Sequence, residues 1–233
     1  MSIPLRDSLS IIIPSYREAE NLEVLLPELK KSMETIDVDY EVFVIDALQK
    51  IDETEEICKK NEFFHIHRKG GSKYGDAIRT GVKHANNFYS IIMDADGSHD
   101  PAFISKLWKW RNSYDIVIAS RYITGGKTEN NFILNFMSKV LNISYSIVLG
   151  IKCKDISNSF KLYQTNDLKS ITLKCNEFDI VEEIIFKINK IRKIALKEIP
   201  FNFQKRNFGK SKRNLIIFIF KYLITLIKLR FFV

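Results

Sequence analysis

The chain has 233 residues, 45% hydrophobic and 27% charged, which suits one α/β domain with an appendage and excludes a disordered or collagen-like chain. Its net charge of +8 is unevenly spread: residues 1–186 hold 23 Lys and Arg against 27 Asp and Glu, a net of −4, whereas residues 187–233 hold 13 against Glu198 alone, a net of +12. An acidic body with a basic tail argues against a nucleic-acid stripe across the fold and points to what the tail touches.

Leu9–Ile13 reads as a buried strand stopped by Pro14. Leu22, Leu25, Leu26, Leu29 and Met33 follow at helical spacing, with Pro27 inside the run as a candidate kink. Tyr40–Asp46 reads as a second strand and Asp52–Asn61 as a short helix, acidic first and basic last as the helix dipole prefers. Phe64–His67 is a third strand, and Asp76–Asn86 a helix after a Gly-rich loop. Ser90–Asp94 is a fourth strand, Pro101–Trp110 a helix with Pro in its first turn, and Asp115–Ser120 a fifth strand. This alternation predicts a mostly parallel sheet flanked by helices. Phe132–Leu149 reads as an apolar helix, Cys153–Tyr163 as a strand or site loop, and Ile180–Ile191 as a helix. Ala195–Phe203 reads as a strand, Gln204–Arg213 as a basic loop and Asn214–Val233 as a last helix. The division expected is a body of residues 1–213 and a terminal helix of residues 214–233.

Cys58, Cys153 and Cys175 are scattered and lack metal or disulfide spacing, so reduced thiols are expected. The N-terminal residues show no charged stretch followed by a long apolar run, so no secretory signal is expected.

Ligands of parallel sheets sit at the carboxyl ends of the strands, and there the chain gathers Ser15–Glu18, Asp46, Asp94–Asp96 and Arg121. Asp94 and Asp96, one residue apart after a buried strand, can share a divalent cation and present it to a diphosphate. The plainer reading is an acidic solvated turn. His65 and His67 share one face of a strand, but with no third ligand near in sequence they read as structural histidines. The Gly70–Gly75 loop and Gly209-Lys210-Ser211 lack the spacing of a dinucleotide fingerprint or a P-loop. The glycine loop either binds phosphate weakly at a helix start or turns the chain. In the last helix Asn214, Lys221, Thr225 and Lys228 form a narrow polar stripe on an otherwise Leu, Ile, Phe and Tyr surface. That suits an interfacial anchor on anionic lipid, with a helix packed on the body as the alternative. Lys221 near the middle argues against a span.

Five short motifs then agree in order: Ile13-Pro14-Ser15-Tyr16-Arg17-Glu18-Ala19-Glu20-Asn21, the Asp94–Pro101 run, Ser120-Arg121-Tyr122, Asp155–Lys161 and Arg206–Lys212. Together they resemble the inverting family 2 glycosyltransferases of GT-A fold and, within them, the polyprenol (dolichol) phosphate mannose synthases. The resemblance implies an α/β GT-A sheet and transfer of mannose from GDP-mannose to a polyprenyl monophosphate. It implies a donor pocket at Pro14, Tyr16 and Glu18 with Ile45 alongside. It implies a metal-diphosphate site at Asp94, Ala95 and Asp96, where Asp94 and Asp96 would hold Mg2+ or Mn2+ with Asp96 the direct ligand. Arg121, Arg206 and Lys212 become cations for the donor and acceptor phosphates, with Asp96 and Arg121 catalytic. Asp155 and Ser159 become acceptor-facing. The partners implied are a nucleotide sugar, a lipid phosphate and a membrane surface on its cytoplasmic side, not nucleic acid. A lipid phosphate is already anionic, so it needs positioning more than a general base.

Two positions depart from the pattern. Ala47 stands where the family carries a second Asp against the nucleotide base, and Leu134 where it often has an arginine, with Lys139 nearby. They leave open another donor or acceptor, or a degenerate GT-A domain that binds membrane without catalysis.

Overall fold

The computed structural model describes residues 7–129, 132–209 and 215–232. Seven strands form one sheet in the order β3-β2-β1-β4-β7-β5-β8. They are β1 (Ser8–Pro14), β2 (Asp39–Asp46), β3 (Phe64–His67), β4 (Tyr89–Ile92), β5 (Ile116–Ser120), β7 (Lys161–Gln164) and β8 (Leu196–Pro200). All neighbours run parallel except β7, which is antiparallel to both β4 and β5. A second ribbon pairs β6 (Lys127–Thr128) with β9 (Asn202–Phe203).

β1 shows why the sheet is central. Every residue of it is buried, and its side chains alternate between two cores. Leu9, Ile11 and Ile13 enter one core with α1 (Ala19–Met33), α2 (Thr54–Lys60) and α4 (Ile104–Trp108). Ile12 enters the other with α3 (Tyr74–His84), α5 (Phe132–Leu149), α6 (Thr165–Ser170), α7 (Ile180–Ile191) and α8 (Leu215–Phe232). The α1 leucines and Met33 are buried as their spacing predicted, and Pro27 is accommodated within a continuous helix.

Several expectations shift in detail. The predicted helix at Pro101 opens as a 3-10 turn, Pro101–Phe103, before α4. The predicted strand Ala195–Phe203 breaks into two. Pro200 ends the ladder with β5, because proline brings no donor, and the buried Phe201 turns the chain into the β9 ribbon. The glycine loop turns the chain rather than offering an open helix start. Asp76 fills the N-terminus of α3, accepting from the backbone of Lys73.

The C-terminal helix packs on the body. Tyr222, Thr225, Leu226 and Leu229 are buried, the Tyr145 hydroxyl donates to the Tyr222 carbonyl at 2.7 Å, and Thr225 donates to Asp179 at 2.5 Å. The expected polar stripe is therefore not one wet face: Thr225 points into the body while Lys228 is exposed. Asn214, and the side chain of Lys221, lie outside the described residues.

Candidate active site

The carboxyl ends of β1, β2, β4 and β5 converge with the 155–161 segment and the 204–209 loop. After β4 the chain leaves the sheet at Met93 and presents Asp94 and Asp96, with Ala95 buried between them. Asp94 Oδ1 accepts from the Tyr74 hydroxyl at 3.2 Å and from the Ser159 hydroxyl at 3.0 Å. Asp96 Oδ1 accepts from the Ser98 amide and hydroxyl at 3.1 and 2.6 Å. Each carboxylate is thus oriented through one oxygen by neutral donors. Both are partly exposed, and neither forms an ion pair with Lys or Arg among the described residues. Two such carboxylates offer the hard oxygen donors that Mg2+ or Mn2+ requires, so the donor set fits the divalent ion that the resemblance implies.

His99 holds this turn in place. It is fully buried, its ring stacked 4.8 Å from that of Phe160. Nδ1 accepts from the Asp94 amide at 3.0 Å, so Nε2 carries the proton and donates to Asn158 Oδ1 at 3.1 Å. Burial pushes its pKa down, consistent with a neutral ring. The Asp94–Pro101 motif contains His99 but does not reveal this work, which depends on its place among Phe160, Phe201 and Phe203.

The 204–209 loop closes over the same turn. The Gln204 amide donates to the Ser98 carbonyl at 3.2 Å and the Asn207 amide to the Asp96 carbonyl at 3.0 Å. Gly97 permits this approach: its φ is +80°, and an added Cβ would lie 2.4 Å from Asn207 Nδ2. Arg206 donates to both oxygens of Glu18 at 2.7 and 2.8 Å, tying the loop to the segment after β1. There Arg17 is held at φ 57°, a conformation uncommon for a non-glycine residue. Arg68, also without an assigned role in the sequence reading, donates to the carbonyls of Asp46 and Ser15 and lies 5.8 Å from the Tyr16 ring.

Arg121 and Asp155 are a buried pair rather than two open ligands. Arg121 donates to Asp155 from its backbone N, Nε and one terminal nitrogen at 2.7, 2.8 and 2.7 Å. Burial opposes the guanidinium charge, but the carboxylate outweighs it and holds the pKa above its ordinary value. Asp155 is wholly inaccessible, so its expected acceptor-facing place is corrected: it faces Arg121 because a buried guanidinium demands a partner. Ser159 is brought onto Asp94. Pro14 and Ile45 are buried and paired in adjacent strands, Ile45 facing the core, while Tyr16 is exposed at the rim and Glu18 holds Arg206. Lys212 lies outside the described residues.

One further surface adjoins the fold. Phe132–Leu149 is long and apolar enough to cross a membrane by length and composition. Phe132, Ile133, Phe136, Val140, Ile143 and Ile147 are exposed along it, as are Ile224, Ile227 and Phe231 on α8.

The chain is 33% identical over 211 residues to a dolichol-phosphate mannosyltransferase of Pyrococcus furiosus, covering 87% of this chain and 58% of that protein. It is 28% identical over 217 residues to an undecaprenyl-phosphate mannosyltransferase of Micrococcus luteus, covering 86% and 85% respectively. The chain therefore spans little more than half the length of the first of these relatives. In fold it matches glucosyl-3-phosphoglycerate synthase of Mycobacterium tuberculosis, solved with Mn2+, uridine diphosphate and glucosyl-3-phosphoglycerate. That match has a TM-score of 0.74 at 13% identity and covers 96% of this chain and 80% of that one. The sheet is accordingly of GT-A type. Residues 10–172 match the family described as Glycosyl transferase family 2, and the chain belongs to that family.

Proposed function

We propose that this chain transfers mannose from GDP-mannose to a polyprenyl or dolichyl monophosphate by a single, inverting displacement. The observation that carries the reading is the turn after β4, where Asp94 and Asp96 are oriented by neutral donors beneath the Arg206 loop. The activities for which the two mannosyltransferase relatives are named support the sugar and the lipid acceptor.

In this reading Asp96, with Asp94, holds Mg2+ or Mn2+, which would neutralise charge on the departing diphosphate. The protein's own groups do the positioning. Tyr74 and Ser159 fix the Asp94 carboxylate, His99 fixes its backbone, and the Asn158 carboxamide fixes His99. Tyr16 and Glu18 border the donor, and Arg206, held by Glu18, is poised for phosphate; the resemblance adds Lys212 to that role. Arg121, neutralised by Asp155, braces this part of the site instead of offering a free cation. The acceptor phosphate arrives ionised, so orientation rather than proton removal limits attack.

The catalytic body is residues 1–213, and residues 214–233 join α5 at the cytoplasmic face of a membrane. The exposed apolar side chains of α5 and α8 support a peripheral docking face there. Ala47 supports a second reading, in which the donor differs from GDP-mannose. The deciding experiment offers GDP-mannose, UDP-glucose and other nucleotide sugars with polyprenyl phosphate and Mn2+ in detergent. Formation of a lipid-linked sugar of inverted anomeric configuration is expected, and no turnover with any donor would leave a non-catalytic binding domain.

A further inference from the structure

His65 and His67 acquire in the fold the third ligand they lack in sequence. β3 lies parallel to β2, and the register sets His65 opposite Val44 and His67 opposite Asp46. One ligand atom from each of Asp46, His65 and His67 falls within 4.8 Å of the others. We propose that Asp46, His65 and His67 form a transition-metal site, fitted to Zn2+, that clamps the edge strand β3 to β2 and is separate from the Asp94–Asp96 site.

The bonding around the three residues leaves each with a ligand atom available. His67 Nδ1 is 2.7 Å from the Ala47 carbonyl, so that nitrogen donates and Nε2 keeps its lone pair. This is the arrangement in which a metal-bound histidine is oriented through its other nitrogen by a backbone carbonyl. Asp46 Oδ1 accepts from the Ala47 amide at 2.7 Å, which turns Oδ2 toward the histidines. Oδ2 is 3.2 Å from His65 Nε2. Two ligands at about 2.0–2.1 Å from one tetrahedral ion stand roughly 3.3 Å apart, so the separation already matches shared coordination. The imidazole rings meet edge to face with centroids 4.8 Å apart.

The chemistry selects the ion. Two imidazole nitrogens and one carboxylate oxygen favour Zn2+ or Co2+, whereas the paired carboxylates after β4 favour Mg2+ or Mn2+. Asp46 is 2% and His65 11% exposed, so the ligands are mostly shielded, while β3 is a sheet edge that gives the ion an entry path. Three protein ligands leave one position for water. The clamp would also stiffen the strand end that carries Ala47 and, through the Asp46 carbonyl, the Arg68 contact to the Tyr16 segment.

The test uses the full chain carrying Asp96→Asn, which disables the other candidate site. After chelator treatment it is titrated with Co2+ and then Zn2+, read by visible absorption, calorimetry and thermal melting. One equivalent of Co2+ with tetrahedral d–d bands, displaced by Zn2+, and a metal-dependent rise in Tm are expected. In His67→Gln, checked for folding by circular dichroism, affinity should fall by at least about a hundredfold; His65→Asn serves if that variant unfolds. Absence of stoichiometric uptake, or unchanged uptake in the folded histidine variant, overturns the site and leaves a His65–Asp46 hydrogen bond. Neither result bears on turnover, so the proposed transferase reaction stands or falls separately.

Discussion

The Arg121–Asp155 pair makes a sharp prediction, because its charges are both buried and mutually dependent. The side chains are 9% and 0% exposed, and three donor atoms of Arg121 converge on one carboxylate. Asp155→Asn keeps the volume but removes the charge and leaves the guanidinium between the Tyr122 and Phe203 rings with the Ser157 hydroxyl as a neutral partner. Breaking a buried pair on one side costs about 3–5 kcal/mol. For 233 residues an unfolding entropy near 2.1 cal/mol/K per residue gives about 0.5 kcal/mol/K, so Tm should fall by roughly 6–10 °C. Urea unfolding of wild type and variant, with m-values compared, measures the loss. The double variant Arg121→Met with Asp155→Leu should recover most of it, since it removes both charges. A loss under about 1 kcal/mol in Asp155→Asn would refute the argument, and Arg121 would then be a cation free to meet phosphate.

Three further outcomes follow from the same geometry. Asp96→Asn should lower turnover by at least about a hundredfold with little change in Tm, measured as lipid-linked sugar formed; near-normal turnover would remove Asp96 from the chemistry. Ile143→Ser with Ile147→Ser should weaken flotation with anionic vesicles by roughly tenfold or more, since side chains 58% and 74% exposed would each give about 1–2 kcal/mol on burial in the interface. Burial, opposed by Lys161, raises the Glu182 carboxyl to about 8 from an ordinary 4.5, so between those values the folded chain keeps a proton that the unfolded chain releases. Stability should therefore fall as pH rises from about 5 to 8, and urea midpoints of Glu182→Gln should be flatter over that window.

The parallel sheet was legible because β1, β2, β4 and β5 each contain a short buried apolar run with polar residues following it in the chain, and that pattern has few other solutions. The Asp94–Asp96 turn was legible for the same reason: its position after a buried strand tells where it must project. What sequence could not give was pairing at a distance. Asp155 looks acceptor-facing until Arg121, 34 positions earlier, folds against it. Asp46 stands alone at its strand end until β3 brings two imidazoles beside it. Thr225 looks like part of a wet stripe until Asp179 takes its hydroxyl. In each case the partner lay beyond any period or spacing rule.

The bond between Glu18 and Arg206 joins residues 188 positions apart. A chain made from its N-terminus at about 5–20 residues per second reaches Arg206 roughly ten seconds or more after Glu18. During that interval β1, β2 and β4 can associate, but the loop that closes over the Asp94–Asp96 turn does not yet exist. A nascent chain stalled before residue 204 would therefore present the carboxylate turn uncovered. Contacts of this span also slow folding relative to local ones, so closure of the 204–209 loop is expected among the last events of refolding.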